Sequence, residues 1–441
     1  MKKHTKKILT LALAALSVTA AATAFTACGH THTFGEWTVT EYGDCTTKNR
    51  EVRVCEDDSS HTEERELFYN HTYESDVCTE CGKARVSEGL AFELRQDGTY
   101  RVSGIGECKD LDLIVPEKHE GIAVTAVKNG AFWGNIAITS VILPDSVTRV
   151  GVSAFNGCTA LESVDFGNSV TNIWDSAFNG CAALQEIVLP DSVEEIGQRA
   201  FYECSSLVSA DMGEGLERVA ENAFFGCEAL TTVDFGNGLK EIGASAFEKC
   251  TALETFDFGT NITRIGDSAF RKCEKLVNIT LPQSLTMISK YAFRDCAALK
   301  TVEIPASVEV LELAVFSGCL SLEKLKLNEG LTRIRTSAFQ DCTALQTVVI
   351  PASVTEIDDK AFSGCTALQA VLLGDIEEVE QYAFEKCTQL QYVFYYGTGS
   401  SWLGSVSVLK SALCLHYSEE RPQEDVGRYW HYVDGIPTVW S

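Results

Sequence analysis

Three observations predict that this 441-residue chain folds as a repeat solenoid. A phenylalanine returns at a constant spacing, and ten of the eleven steps are 23 residues long while the last is 22. Apolar residues spaced L-x-x-I-x-L follow each one, and a proline or glycine then stands at the same place in ten of the twelve units. A unit this short cannot bury its own apolar side, so the units must stack on one another. The repeated residues are Phe132, Phe155, Phe178, Phe201, Phe224, Phe247, Phe270, Phe293, Phe316, Phe339, Phe362 and Phe384.

Residues 177–200 show how one unit is built. Ile187 lies in a strand and points inward, because neighbouring side chains of a strand point to opposite faces. The strand ends at Pro190, which has no N–H to donate to a neighbouring strand. A second apolar pair ends at Ile196, and a short helical or 3-10 turn begins near Phe201. This is the layout of a leucine-rich repeat, and we expect a mixed-β arc of about twelve coils.

The unit resembles the BspA-like leucine-rich repeats, also called the Treponema pallidum type. Their motif C-x-x-L-x-x-I-x-L-P-x-x-V-x-x-I-G-x-x-A-F is met almost letter for letter from Cys181 to Phe201. The resemblance covers roughly residues 110–396. It implies a bacterial surface or secreted protein, and several members of the family act as adhesins.

Residues 1–27 are interpreted as a lipoprotein signal peptide. A basic start, MKKHTKK, precedes an apolar run that ends in small residues. The run is too short and too rich in alanine for a permanent transmembrane helix. Residues 26–29, TACG, resemble a lipobox, which implies lipid attachment at Cys28 and anchoring on the outer face of the bacterial membrane. Plain secretion is the alternative.

Residues 28–86 form a Cys/His-rich module. Its sequence resembles short modules that precede such repeats in other bacterial surface proteins, and the pair Cys78 and Cys81 has the spacing of a zinc knuckle. With Cys55 and His71 it could hold a structural zinc ion within residues 45–81. Two disulfides are the alternative for an exported chain. Either would be structural, since a module this small needs a staple.

The repeat body at residues 131–395 is flanked by two expected caps. Residues 87–130 form the N-terminal cap, with a hairpin at Asp97-Gly98 and a degenerate first coil. Residues 396–441 form the C-terminal cap, with one more strand and a second hairpin. An aromatic sugar-binding patch of Trp430, Tyr432 and Trp440 is the alternative interpretation of this last segment.

Two ladders of repeated residues are assigned to the core. The phenylalanines must be buried for the coils to stack. A cysteine follows each phenylalanine by three residues from Cys158 to Cys387, and side chains in the same phase would point inward in parallel. That arrangement fits disulfide torsion poorly, so the cysteines are interpreted as small buried hydrophobes. A disulfide zipper or a rail of bound metal is the alternative.

Composition and spacing limit the classes of function. The formal net charge of −26 opposes binding to nucleic acid or to an anionic membrane surface, which leaves the lipid anchor as the only membrane contact. No histidine lies between His119 and His416, so the repeats contain no Ser/His/Asp or Cys/His pair. We therefore expect no enzyme and no certain cofactor, and we expect a monomer.

The outward side chains of the repeat strands are the candidate binding site. Asp211, Asp234 and Asp257 form a column of carboxylates about one strand spacing apart. This column could bind a basic protein segment or Ca²⁺, or could be a solvated surface with raised carboxylate pKa values. An apolar column could be a partner patch, or the C-terminal segment could cover it. The candidate ligand-binding residues are Asp165, Asp211, Asp234, Asp257, Glu303, Val349, Leu372 and Phe394.

These features predict a non-catalytic, adhesin-like protein of the cell surface. It would bind a macromolecular partner, such as a host protein or another cell's surface protein, by multipoint contact across the strands. One alternative is a glycan-binding module of a nutrient-capture system. Another is a structural envelope protein without a specific ligand.

Overall fold

The computed structural model describes residues 38–41, 48–54, 62–68, 73–74, 77–78, 86–396, 413–418, 428–433 and 436–439. The chain divides into two compact units, Met1–Lys83 and Ala84–Ser441. Within the described ranges every regular element is a β-strand, and no α-helix occurs.

The first unit contains two small antiparallel sheets. The strands β1 (Thr38–Glu41), β2 (Lys48–Val54) and β3 (Thr62–Phe68) form one sheet in that order. The strands β4 (Tyr73–Glu74) and β5 (Val77–Cys78) pair as a short hairpin.

The second unit is the expected solenoid of coils about 23 residues long. Each coil contributes one strand, and most of these strands pair in parallel with the equivalent strand one coil on, for example Ser209 with Thr232 and Asp211 with Asp234. The pairing is interrupted between residues 165 and 186, 234 and 255, and 327 and 347. We call the outward side of these strands the strand face. Its strands are β8 (Asp112–Ile114), β11 (Ser140–Ile142), β13 (Ser163–Asp165), β15 (Glu186–Val188), β17 (Ser209–Asp211), β19 (Thr232–Asp234), β21 (Thr255–Phe256), β23 (Asn278–Ile279), β25 (Thr301–Ile304), β27 (Lys324–Leu327), β29 (Thr347–Val349), β31 (Ala370–Leu373), β33 (Tyr392–Tyr395) and β34 (Leu413–Tyr417).

A second, shorter strand follows the corner of each coil and also pairs in parallel with its neighbours, with one interruption between residues 288 and 310. Threonine hydroxyls support this side, since Thr286 Oγ1 donates to the carbonyl of Thr263 in the preceding coil. We call it the second-strand side. Its strands are β10 (Ile122–Val127), β12 (Arg149–Val150), β14 (Asn172–Ile173), β16 (Glu195–Ile196), β18 (Arg218–Val219), β20 (Glu241–Ile242), β22 (Arg264–Ile265), β24 (Met287–Ile288), β26 (Val310–Leu311), β28 (Arg333–Ile334), β30 (Glu356–Ile357) and β32 (Glu378–Val379).

The third side of each coil, the turn side, surrounds the repeated phenylalanine. The expected short turn is present but does not continue into a helix, because the chain makes successive tight turns closed by N–H to carbonyl bonds three residues apart, the 3-10 spacing, as from Cys158 to Phe155. Most coils place residues of positive φ two positions before and two after the phenylalanine, for example Ser245 at 51° and Lys249 at 64°. A left-handed residue at each point stops a right-handed helix from propagating.

The core contains the two expected ladders. Consecutive phenylalanine rings stack with centroids 5.0–5.6 Å apart and planes within 14° of parallel. The cysteines from Cys158 to Cys387 are free, buried thiols, as the hydrophobic interpretation predicted. Each also donates its S–H to a phenylalanine carbonyl of the preceding coil at 3.2–3.4 Å, as Cys250 does to Phe224.

Strands cover both ends of the repeat array. At the N-terminal end, β6 (Ala91–Leu94) and β7 (Tyr100–Gly104) form the antiparallel hairpin expected at Asp97-Gly98, and β7 pairs in parallel with β10. The strand β9 (Lys118–His119) also pairs with β10. At the C-terminal end, β34 is followed by the antiparallel pair β35 (Tyr429–Val433) and β36 (Ile436–Val439).

Candidate functional site on the strand face

The outward positions of the repeat strands lie where the sequence predicted. In β17 the outer residues Ser209 and Asp211 are half-buried while Ala210 between them is buried, and the same alternation recurs in β11, β13 and β15. Parallel pairing without shift places equivalent residues of neighbouring coils side by side. The strand face is therefore a set of columns with a rise of about 4.8 Å per coil.

The carboxylate column is real, and it also has a structural role. Asp211, Asp234 and Asp257 each accept the N–H of the glycine two residues later, at 3.1, 2.9 and 2.8 Å, and Asp165 does the same at 2.9 Å. The sequence signal was Asp-x-Gly, which is the spacing of an Asx turn, and it was missed. These glycines have φ near +60°, so the carboxylate fixes a turn that few other residues could make.

The Ca²⁺ interpretation of this column finds no support in the described part of the chain. No group of three or more His, Cys, Asp or Glu side chains there is arranged to hold a metal ion. Each aspartate of the column already uses one oxygen to accept a backbone N–H. The column is therefore a row of negative charge beside the strands.

The middle of the strand face carries lysines. Lys326 lies one coil after Glu303 and forms an ion pair with it at 2.6 Å. Hydrogen bonds from Lys326, and then from Asn328, lower the pKa of the exposed Glu303 carboxyl. Lys324 is exposed, and within the described residues no acidic side chain pairs with it. The charge of the face thus changes sign along the solenoid.

The apolar column requires a correction. Val349 is 54% exposed, but Leu372 and Phe394 are only 6% and 7% exposed. Both pack with Leu415 of β34 and Trp430 of β35, so the C-terminal segment covers them. The interpretation as a partner patch is therefore wrong for Leu372 and Phe394. Among the described residues of the strands at this end, Val349, Tyr392 and Leu413 are the exposed apolar side chains.

Trp430 also differs from the aromatic-patch interpretation. Its ring is fully buried against Phe394, Tyr396 and Tyr417, and its indole N–H donates to the carbonyl of Tyr395 at 3.4 Å. A buried ring cannot stack on a sugar, so Trp430 is a core residue of the C-terminal cap. Trp440 and the side chain of Tyr432 lie outside the described residues.

Charge on the second-strand side is compensated between coils. Glu241 lies between Arg218 and Arg264, at 3.4 and 3.7 Å. Arg333 contacts Glu356 at 2.7 Å and Asp358 at 3.1 Å. This alternation leaves less net charge here than on the acidic part of the strand face.

Two predicted sites fall outside the described residues. They are the lipid-attachment residue Cys28 and the zinc ligands Cys55, His71 and Cys81. For Cys78 only the backbone, in β5, is described. Zinc and disulfides both stay predictions for residues 45–81.

Among the described residues, no helix has the length and apolar character needed to cross a membrane.

The repeats match a known family model. The model of the BspA type leucine-rich repeat region matches residues 125–254, 209–322 and 310–401, with six copies. These overlapping segments together span more than half of the chain. No curated protein matches the sequence significantly.

Several solved structures are similar to this chain. A leucine-rich repeat protein from Bacteroides ovatus ATCC 8483 is 23% identical, over 74% of this chain and 98% of its own, with a TM-score of 0.49. A leucine rich cell surface protein from Faecalibacterium prausnitzii A2-165 is 27% identical, over 75% and 99%, with a TM-score of 0.46. A leucine-rich repeat protein from T. pallidum is 23% identical, over 64% and 88%, with a TM-score of 0.27.

Proposed function

Because the chain belongs to the BspA-type leucine-rich repeat family, we propose that it is a non-catalytic binding protein that takes a protein partner on its strand face. The partner carries basic side chains opposite the carboxylate column and an apolar side chain opposite Val349. Binding makes and breaks no covalent bond. We further propose that the protein is exported and anchored at the cell surface through a lipid on Cys28.

One observation carries this proposal: the strand face is a regular column array whose chemistry changes along the solenoid. Carboxylates from Asp165 to Asp257 come first, Lys324 and Lys326 follow, and the exposed Val349 and Tyr392 come last. A partner that matches this order is held in one register, since a shifted register would place like charges together. A structural envelope protein has no need of such an order.

The acidic part of the face is tested by changing its charge while keeping its turns. The triple variant Asp211→Asn, Asp234→Asn and Asp257→Asn retains a side-chain oxygen that can accept the glycine N–H, and it removes three negative charges. Protein partners are first identified on an array of extracellular proteins. We expect the triple variant to bind a selected partner at least about tenfold more weakly and to lose most of the salt dependence of binding.

A matched control removes the same charge elsewhere. The variant Glu195→Gln, Glu356→Gln and Glu378→Gln changes three outward carboxylates of the second-strand side. It should keep the affinity of the native protein. Equal affinity of the native protein and the aspartate variant would remove the carboxylate column from the site. Absence of any protein partner on the array would favour the structural-envelope alternative.

A further inference from the structure

The turn side changes its geometry at the last repeat. In ten successive coils the residue two before the phenylalanine has a positive φ and donates its N–H to a carbonyl of the next coil at 2.7–3.1 Å, as from Ser337 to Asp359. Tyr382, which occupies this position in the last coil, has no positive φ. The equivalent bond from the N–H of Lys360 to the last coil is not formed. The hydrogen bond that recurs between the other coils is therefore missing between the coils of Phe362 and Phe384.

A shallow depression of about 560 Å³ lies at this place and extends over three coils. We call it the turn-side depression. Ser363, only 3% exposed, lies at its base, while Tyr382 is 44% exposed. Small residues at base positions leave space that larger side chains would fill. Its lining residues are Thr336, Ser337, Gln340, Asp359, Lys360, Ser363, Tyr382, Glu385 and Lys386.

The depression holds two polar groups without a partner. Asp359 Oδ1 is buried and accepts no hydrogen bond, and the backbone N–H of Lys360 donates none within the described residues. A buried acceptor without a donor costs free energy unless a ligand or water supplies one. Asp359 Oδ1 thus lacks a hydrogen-bond donor, and the N–H of the adjacent Lys360 lacks an acceptor.

The charge of the depression argues against an ionic ligand. Asp359 and Glu385 are matched by Lys360 and Lys386, so the lining is formally neutral. The net charge of −26 also repels anions from the protein as a whole. The lining instead offers the exposed aromatic ring of Tyr382, the hydroxyl of Ser337 and the amide of Gln340.

We propose that the turn-side depression binds a neutral hexopyranose unit of a glycan. Two neighbouring hydroxyls of the sugar donate to the Asp359 carboxylate, which turns to bring its buried Oδ1 to the ligand, and accept from the Lys360 N–H, so that both unpartnered groups are satisfied. The apolar face of the ring packs on Tyr382, which offers an apolar surface with a polar edge. A water molecule could satisfy the two polar groups but makes no use of the aromatic ring. This glycan site is separate from the protein-binding strand face.

The test uses the whole chain and three simple probes: the methyl glycosides of α-mannopyranose, β-galactopyranose and β-glucopyranose. Saturation-transfer NMR measures binding of each. We expect at least one glycoside to bind, and we expect Tyr382→Ala and Asp359→Asn each to weaken that binding at least about tenfold. Tyr382→Phe keeps the ring and should keep most of the binding.

Tyr291→Ala is the matched control, because Tyr291 occupies the same position in another coil and lies against Arg294. It should bind the glycoside like the native chain. Asp359→Asn is nearly isosteric, so it reports on the site even if Tyr382→Ala folds poorly, and melting curves of all variants identify misfolding. The proposal is overturned if none of the three glycosides binds, if both site variants bind like the native chain, or if Tyr291→Ala loses binding to the same extent.

Discussion

At the scale of single residues, the turn side stores backbone strain in eleven of the twelve coils. Residues two after the phenylalanine have positive φ whether they are glycine, as Gly226, or not, as Lys272 at 62°. An L-residue in this conformation costs roughly 1–2 kcal/mol, which glycine avoids. The repeat geometry requires a positive φ at this position in every coil, but the sequence places a glycine there in only some coils.

Replacing one such residue by glycine should stabilise the protein. For Lys272→Gly we expect the free energy of unfolding to rise by about 0.5–1 kcal/mol, since the relief of strain exceeds the added entropy of the unfolded chain. Urea denaturation measures the change. Lys272→Ala is the control, because it removes the same charge and keeps the strain. A glycine variant no more stable than the alanine variant would show that this position is not strained.

The same residues show what could be predicted from the sequence and what could not. The inward phase of Phe201 and Cys204 follows from spacing alone, and both are fully buried. The turn around them could not be predicted as a broken helix, because non-glycine residues such as Ser245 and Lys249 give no local signal for positive φ. The Asx turn at Asp234 was predictable from Asp-x-Gly, and the 22-residue step from Phe362 to Phe384 marks the place beside Tyr382 where the repeat geometry changes.

At the scale of elements, the phenylalanine stack links each coil to its two neighbours. Phe247 stacks on Phe224 and Phe270, both at 5.4 Å, and meets Phe235 and Phe256 edge-on at 6.0 and 5.2 Å. Offset and edge-to-face pairs add to the free energy of burial. In a solenoid each coil contacts only its neighbours, so loss of one ring weakens two interfaces.

Truncating a ring in the middle of the stack should therefore be severe. For Phe247→Ala we expect a loss of about 3–5 kcal/mol, because the neighbouring coils cannot collapse into the space. Phe225→Ala is the control: this half-buried ring stacks on Tyr202 at the surface, and its loss should cost less than about 1.5 kcal/mol. Chemical denaturation compares the two. Similar losses would contradict the prediction that the buried stack holds neighbouring coils together more strongly than a surface pair does.

The C-terminal cap shows the limit of pattern analysis for elements. Its strands at 413–417, 429–433 and 436–439 follow the apolar runs and the Asp-Gly turn in the sequence. The burial of Trp430 could not be predicted from the adjacent sequence, because it depends on strands of the repeat body that pack against the ring. The same packing buries Leu372 and Phe394, which the repeat pattern predicted to point outward in their own coils.

At the scale of the whole molecule, the cysteine ladder couples stability to pH. Burial raises the pKa of the Cys158 thiol to about 12 and that of Cys204 and Cys296 well above the ordinary value of 9.0. Below about pH 8 both the folded and the unfolded chain keep these protons, and the thiols add no pH dependence. Above pH 9.0 the unfolded chain releases them while the folded chain holds them, so stability falls as pH rises.

The ladder should therefore make the protein unfold cooperatively in alkali. Each thiol lowers the free energy of unfolding by about 1.4 kcal/mol per pH unit above the pKa of the unfolded thiol, and the contributions of the ladder add. We expect unfolding between about pH 9 and 11, followed by circular dichroism with a reductant present. In a variant carrying Cys204→Ser, Cys250→Ser and Cys296→Ser, the pH slope should fall by about 4 kcal/mol per unit, since serine can donate to the same phenylalanine carbonyls without ionising in this range. Tyrosines and lysines titrate alike in the native protein and in the serine variant. Equal pH slopes for these two proteins would therefore mean that the buried thiols exchange protons in the folded state.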